Sequence, residues 1–347
     1  METANKNNFI MKITLIGIIV AVGIAFGLYF GVQRSPAANP VTVPVKGPEG
    51  VVNFLTFGDW GTNTPKQKQV AETMAAYAAK EGNIQAIVLC GDNFYMKLSG
   101  VEDPTWKTCF EDMYDIKRLS MPFFAVLGNH DYDGNKNSTE LKYSQVHPDS
   151  RWKMPARWYR VNIPEIKPVI SIFMLESTFE QFNKTDWAAQ KKWMDDELGK
   201  TDAGVWKICV AHHTMFTNGA HGDNGKLQTE WKPIFDKHGV DFYLCGHDHD
   251  LQHLEIPGQT VSYILAGGGG AGTRPMIKDQ RGPFSKASNG FGHFNFTPEK
   301  ATVHLIDADG TEIHSFEKLH NGETKVLTPG QSDKATSKPL KAIQGKD

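Results

Sequence analysis

Seven apolar runs punctuate the middle of the chain: Val51–Phe57, Ile84–Cys90, Phe123–Leu127, Val169–Leu175, Val205–Ala211, Val240–Cys245 and Val261–Ala266. They are short and nearly unbroken, the pattern of strands covered on both faces of a sheet. Segments of helical character lie between the earlier runs. Pro65–Lys80 carries proline in its first turn and is rich in alanine; Asp186–Leu198 and Lys226–Lys237 follow the same logic. Strands and helices alternating in this way predict an α/β fold with largely parallel central strands. In such folds ligands collect beyond the carboxyl ends of the strands.

The flanks read differently. Ile13–Val32, ITLIGIIVAVGIAFGLYFGV, is twenty residues without a charge. As a helix it would span about 30 Å, the thickness of a bilayer core. Signal-peptide apolar regions are usually about 7–15 residues, and no clear A-x-A site follows. The run therefore reads first as an uncleaved transmembrane anchor, with a cleaved signal or a buried helix as alternatives. Residues 1–12 then form a cytosolic tail, although Lys6 and Lys12 before the run and Arg34 and Lys46 after it give only a weak charge bias. Residues 33–50, with prolines at 36, 40, 44 and 48, read as an extended spacer. Residues 51–320 form one catalytic body, and 321–347, rich in Lys, Ser, Thr and Pro, read as a disordered tail.

Composition narrows the classes. A formal net charge of −2, with 22% charged residues, argues against a dedicated nucleic-acid or anionic-membrane surface. The four cysteines include no C-x-x-C pair, and Cys90, Cys209 and Cys245 sit inside apolar runs as small buried hydrophobes. They do not fix the compartment.

The residues just past the strands carry the chemistry. The first run leads into Gly58-Asp59-Trp60-Gly61 and the second into Gly91-Asp92-Asn93-Phe94-Tyr95. The third leads into Gly128-Asn129-His130-Asp131, a later one into Ala211-His212-His213, and another into Gly246-His247-Asp248-His249. A single Asp or His there is an ordinary turn residue. Five such ends on one sheet edge predict a metal centre. Carboxylate, amide oxygen and imidazole suit first-row metals, and the absence of thiolates disfavours a structural zinc site. A carboxylate can bridge two cations about 3.5–4 Å apart, a spacing that clamps a phosphoryl group. His247 and His249, two apart on extended chain, project to the same side; Asp248 between them alternates away and reads as a carboxylate that supports the ligands or the structure. The run Gly267–Gly272 lacks the G-x-x-x-x-G-K-[ST] frame of a phosphate loop. It reads as a loop passing close behind the metals.

These motifs, GDWG, GDNFY, GNHD, VAHH and GHDH, together with FEDMY at 110–114 and IFMLES at 172–177, resemble the calcineurin-like metallophosphoesterase superfamily. Within it they resemble the small, tartrate-resistant type of purple acid phosphatase, over Val51–Phe316. The resemblance implies a four-layer α/β/β/α sandwich of two mixed sheets flanked by helices. It also implies an iron(III) held by Asp59, Asp92, Tyr95 and His249, with Tyr95 as the tyrosinate that colours the family. A second metal, iron(II) or zinc(II), would be held by Asp92, Asn129, His213 and His247, with Asp92 bridging. The family often has glycine where this chain has His212, so VAHH offers two imidazoles; the V-x-x-H spacing selects His213. His130 and His221 resemble the histidines that contact phosphate or protonate the leaving group.

The expected activity is hydrolysis of phosphate monoesters by a binuclear Fe(III)–M(II) centre, with metal-bound hydroxide attacking phosphorus and a histidine assisting the alcohol. Small phosphate esters, and phosphoproteins as a further class, are the expected substrates. The expected setting is a monomeric catalytic domain outside the cytosol, membrane-anchored or secreted. Two rivals differ at readable positions. A phosphodiesterase or nucleotidase on the same scaffold would not need Tyr95, and a non-catalytic scaffold would have lost ligands.

Overall fold

The computed structural model describes residues 41–42, 49–278 and 281–336. The apolar run Ile13–Val32 and the proposed cytosolic tail lie outside them. Among the described residues no helix is long and apolar enough to cross a membrane.

The strands, in chain order, begin with β1 (Val41–Thr42), β2 (Val52–Phe57), β3 (Ala86–Leu89), β4 (Phe123–Ala125) and β5 (Trp152–Lys153). Then come β6 (Tyr159–Ile163), β7 (Ile170–Met174), β8 (Trp206–Val210), β9 (Phe242–Cys245), β10 (Leu251–Glu255) and β11 (Ser262–Ala266). The chain closes with β12 (Phe284–Lys286), β13 (Gly290–Phe296), β14 (Lys300–Asp307), β15 (Glu312–Leu319) and β16 (Thr324–Thr328). The helices are α1 (Pro65–Glu81), α2 (Lys136–Val146), α3 (Lys184–Gly199), α4 (Gly225–Glu230) and α5 (Lys232–His238). Each of the seven central apolar runs is a strand, trimmed by a residue or two at its ends.

The strands form two mixed sheets, ordered β1-β6-β7-β8-β9-β11-β10-β12 and β16-β15-β14-β13-β2-β3-β4-β5. The expected parallel centre is present in both: β2, β3, β4 and β5 run parallel, as do β7, β8, β9 and β11. The sheets pack face to face, with Phe242 of β9 edge-on to Phe294 of β13 at 5.5 Å between ring centroids. The outer face of the first sheet is covered by α3 and the α4–α5 pair, where Trp187 and Trp231 stack at 5.4 Å. On the other side α1 lies against β13, and Tyr77 bonds His293 Nδ1 at 2.9 Å. The order is helix, sheet, sheet, helix. Each large side chain fully buried between layers contributes about 1.5–3 kcal/mol.

Local chemistry sets the helix ends. Thr64 caps α1 through its side chain, Pro65 opens it, and Gly82 closes it in the left-handed conformation. The segment Lys226–Lys237, expected as one helix, is two. Pro233 in the first turn of α5 has no N–H to continue the α4 ladder, and the axis breaks at Trp231.

Two expectations about the flanks are corrected. Thr324–Thr328 of the expected disordered tail pair antiparallel with β15. The chain beyond still docks, with Asp333 N donating to Ser285 O and Thr336 N to Met276 O, both at 2.9 Å. An edge strand held by backbone bonds with its side chains in solvent has no apolar signature to read. Likewise Val41 and Thr42 of the expected spacer pair with Val161 and Asn162 of β6.

Candidate metal centre

The carboxyl ends of β2, β3 and β4 in one sheet face those of β8 and β9 in the other. Backbone bonds fix the strand ends, the first between the two sheets and the others within each. Gly58 N donates to Ala266 O at 2.7 Å, Asp59 N to Gly91 O at 3.0 Å, and Gly246 N to His212 O at 3.1 Å. Asp59, Asp92 and His247 each follow a glycine and each adopt positive φ, at 58°, 49° and 71°. Left-handed backbone at non-glycine residues costs on the order of 1–3 kcal/mol each and gathers at functional sites. Here it turns each side chain back over the strand end. The space is too tight for larger neighbours: a Cβ at Gly246 or Gly267 would run into Asp59. The expectation of a glycine loop behind the site holds, since Gly269 N donates to Gly58 O and Ala271 N to Asp59 O, both at 2.9 Å.

The side chains form two groups that share Asp92. In the first, the Tyr95 hydroxyl lies 3.3 Å from Asp59 Oδ1, 3.2 Å from Asp92 Oδ2 and 3.2 Å from His249 Nε2. His249 Nδ1 donates to Gly272 O at 2.8 Å, so Nε2 turns its lone pair toward the carboxylates. In the second, His212 Nε2 lies 3.3 Å from Asp92 Oδ2, 3.1 Å from Asn129 Oδ1 and 3.2 Å from His247 Nδ1. Its Nδ1 donates to Cys90 O at 2.9 Å.

Motif spacing favours His213 as the ligand; in this geometry it is His212 that reaches the carboxylates. Asp59, Asp92 and His212 present ligand atoms all within 4.8 Å of one another. His213, one residue further, is turned to Ser177 Oγ at 2.9 Å, with its ring 4.5 Å from that of His247. It is next to the centre but outside the carboxylate cluster.

The electrostatics show what the cluster lacks. Burial, reinforced by neighbouring Asp92, holds the Asp59 carboxyl well above the usual range despite the opposing pull of His212. Burial works against the charge of Asp92 too, but His212 and His130 hold it ionised and low. Burial lowers His212, yet Asp92 and Asp59 overcome it and raise the ring to about 10. Without a metal, the charge of Asp92 thus rests on one proton on His212, while Asp59 is held toward its protonated form. A divalent or trivalent cation between them would replace that proton and remove the deficit. Burial drives His247 well below its usual value, His213 to about 3 and His249 to about 4. Neutral imidazoles are the form that binds metals. Burial and the carboxylates of Asp59 and Asp92 push the Tyr95 phenol well above its usual range, so a phenolate there requires a cation. The donor set fits a two-metal centre.

The remaining expected residues line its rim. His130 N donates to Asp92 Oδ1 at 2.9 Å, and its ring lies 4.7 Å from that of Tyr95. His221 pairs through Nδ1 with Asp248 Oδ1 at 2.8 Å, and its ring lies 3.9 Å from that of His247. Asp248, read as supporting the ligands or the structure, orients His221. A cleft of about 330 Å³ opens beside these rings, lined by His213, His221, His247, Thr214, Phe179 and Lys226.

Sequence reading gave no role to Asp131. It ties two ligand turns together, accepting from Asn93 N at 2.8 Å, Phe94 N at 3.1 Å and Gly128 N at 2.8 Å. Burial and the charge of Asp92 push it up to about 7. Its three-residue offset from Gly128 is the only local signal, a side chain folding back on its own turn.

Comparison with known proteins agrees with this arrangement. A family model for calcineurin-like phosphoesterases matches residues 52–251. The chain is 29% identical to the tartrate-resistant acid phosphatase type 5 of Mus musculus over 317 residues, covering 79% of this chain and 92% of that one. It is 28% identical to purple acid phosphatase 4 of Arabidopsis thaliana over 291 residues, covering 78% and 84%. Among solved structures it superposes on GAP50, the anchor in the inner membrane complex of Plasmodium, with a TM-score of 0.69 and 23% identity over 82% of this chain and 90% of that one. It also superposes on the purple acid phosphatase PPD1 of yellow lupin, with a TM-score of 0.60 and 16% identity over 79% and 55%. These two superpositions speak to the fold.

Proposed function

We propose that this chain, which belongs to the calcineurin-like phosphoesterase family, is a purple acid phosphatase hydrolysing phosphate monoesters. The observation that carries the reading is the Tyr95 hydroxyl, set within 3.3 Å of Asp59, Asp92 and His249. Asp59, Asp92, Tyr95 and His249 would hold iron(III). Asp92, Asn129, His212 and His247 would hold iron(II) or zinc(II), with His213 just outside. When bound, such a pair supplies activation of water and neutralisation of phosphoryl charge.

The chain's own residues do the rest. The cleft beside His213, His221 and His247 receives the alcohol portion of the ester, with Phe179 and Lys226 on its far wall. Asp248 holds His221 through Nδ1, which leaves Nε2 to give a proton to the departing alkoxide oxygen. His130, fixed by its backbone bond to Asp92, packs its ring 4.7 Å from that of Tyr95. GAP50 is described as an anchor, but its likeness concerns the fold; the full donor set retained here favours catalysis.

The test is spectroscopic and kinetic together. Iron-loaded protein should hydrolyse p-nitrophenyl phosphate and show a broad visible band from phenolate-to-iron(III) charge transfer. Tyr95→Phe should lose the band while retaining some hydrolysis. A colourless, fully metallated and fully active wild type would remove the purple-phosphatase reading and leave the broader phosphoesterase one.

The uncharged run Ile13–Val32 supports a second part of the proposal, a membrane-anchored enzyme with its catalytic domain outside the cytosol. Full-length protein should stay with membranes through alkaline carbonate extraction. A mature N-terminus beyond Val32 would show a cleaved signal instead.

A further inference from the structure

His221 rides on residues 217–224, a stretch between β8 and α4 with no helix or strand of its own. The backbone here is permissive. Gly222, directly after His221, adopts φ 77°, and a Cβ on Gly219 would run into Asp248. Contacts from outside the stretch therefore decide where the ring stands. Near its start, Asn218 O accepts from Ile277 N at 3.0 Å and from Lys278 N at 3.2 Å. Near its end it closes on itself, Thr217 N donating to Asp223 Oδ1 at 3.0 Å. One guanidinium spans both places. Arg281 donates through Nη1 to Asp223 Oδ2 at 2.9 Å and through Nη2 to Asp223 Oδ1 at 2.7 Å, a two-pronged ion pair. Its Nε donates to Asn218 Oδ1 at 3.2 Å, and Nη2 also reaches Thr217 O. Lys278 Nζ adds a second cation 3.2 Å from Asp223 Oδ1. The bonds continue inward from Thr217. Its Oγ1 donates to Asp248 Oδ2 at 2.6 Å, which leaves Asp248 Oδ1 to hold His221 through its backbone N and its Nδ1.

We propose that Arg281 is a positioning residue, clamping the stretch that carries His221 against Asp248, and that cleavage of esters with poor leaving groups depends on this clamp. The inference rests on the phosphatase reading above and adds a residue that neither the motifs nor the ligand scheme include. A guanidinium suits the task because its planar fork serves several acceptors at fixed angles at once. None of its partners here belongs to either ligand group, so the clamp bears on the proton donor and leaves the metals alone. The peptide bonds from Asn218 O to Ile277 and Lys278 do not involve the Arg281 side chain. Without it, the start of the stretch stays docked while Asp223 loses its fork. His221 then keeps Asp248 within reach but no longer stands at one fixed place, and a displacement of about 1 Å can cost a hundredfold in rate. The step itself is unchanged: the nucleophile's oxygen bonds to phosphorus, and the alcohol oxygen leaves with a proton from His221. Arg281 gains and loses no proton.

The experiment separates this inference from the reading it rests on by pairing a structural readout with a kinetic one. Amide hydrogen exchange is followed at Thr217 and His221, whose N–H groups bond only to the carboxylates of Asp223 and Asp248 in this arrangement. Loss of a charge-assisted contact should speed exchange at Thr217 about tenfold to a hundredfold in Arg281→Gln. Metal-loaded wild type and variants of matched metal content are then compared on glycerol 2-phosphate, whose alkoxide needs a proton, and on p-nitrophenyl phosphate, whose leaving group needs little. In Arg281→Gln kcat should fall about tenfold to a hundredfold on the first ester and change little on the second. Arg281→Lys, which keeps the charge without the fork, should recover part of the loss. Asp223→Asn, which keeps an acceptor for Thr217 N but breaks the ion pair, should show the same pattern more mildly. Placed in a His221→Ala background, Arg281→Gln should add little further loss, since both changes act on one proton transfer. Unchanged exchange at Thr217 overturns the proposal, as does an equal fall on the two esters or full additivity with His221→Ala. Faster exchange in Arg281→Gln, beside a metal-loaded wild type that cleaves neither ester, would sustain the clamp and sink the phosphatase reading.

Discussion

Asp92→Ala is expected to empty both halves of the metal centre and to lower phosphatase activity by about a hundredfold to a thousandfold or more, the range seen when a group acting on transition-state charge is removed. Asp92 belongs to both ligand groups, 3.2 Å from the Tyr95 hydroxyl on one side and 3.3 Å from His212 Nε2 on the other. Its other oxygen accepts from His130 N at 2.9 Å, so it also fixes the turn that presents Asn129. Alanine leaves the two groups without a shared anion and leaves His212 without the partner that sustains its charge. Asn129→Ala touches only the second group and should deplete chiefly one metal. His212→Ala should do the same, whereas His213→Ala should leave metal content near wild type and act on catalysis. Metal content by atomic emission, measured beside kcat/KM, checks each outcome. An Asp92→Ala protein that retains both metals would sink the shared-ligand scheme. A His213→Ala protein that loses metal while His212→Ala keeps it would return the ligand role to His213.

The choice between His212 and His213 shows where sequence legibility stops. Motif spacing pointed to His213, but counting from the strand ends points the other way. Asp59 stands two residues past Phe57, His247 two past Cys245, and His212 two past Val210. Only the strand boundary distinguishes the two imidazoles, and boundaries are the least legible part of a sequence. The central strands themselves were plain, because strands covered on both faces need continuous apolar runs. The antiparallel half of the second sheet was not. Along β14 buried and more open positions alternate from Lys300 to Leu305, so no continuous apolar run exists to read. Helix α2 was hidden for a different reason. It buries Lys136, whose ammonium bonds Phe94 O, and Glu140, which accepts from Asn93 at 3.0 Å. Its inner face is polar because it supports the ligand turns. The pairing of Asp248 with His221 was illegible because it joins two loops that meet only in three dimensions.

Acidification from about pH 6.5 to pH 4 should destabilise the protein through histidines that lie away from the metal centre, on β13 and β15. His293 is buried between Asn53 Oδ1 at 3.1 Å and the Tyr77 hydroxyl at 2.9 Å. Burial first, then neighbouring His304, lowers it to about 3. His314 stacks on Phe284 and bonds through Nε2 to His253 Nδ1 at 2.9 Å; burial, then His253, lowers it to about 4. In the unfolded chain both titrate near about 6.5. Between that value and the folded one the unfolded state binds more protons, so stability must fall as pH falls. The contribution is whole above about 6.5 and is lost as pH drops through the folded values near 4 and 3. Together the two rings should cost on the order of several kcal/mol by pH 4. Asp131 and Glu140, raised by burial, act in the opposite sense over part of this window. The decisive quantity is therefore a difference between proteins. Urea unfolding of wild type, His293→Gln and His314→Gln from pH 7 to pH 4 should give a steeper loss of stability in the wild type than in either variant. Parallel pH dependences in all three would refute the assignment. For an acid phosphatase the consequence is direct. The acid limb of its activity would then be set by protonation inside the sheet sandwich, so His314→Gln should keep activity longer than wild type after incubation near pH 4.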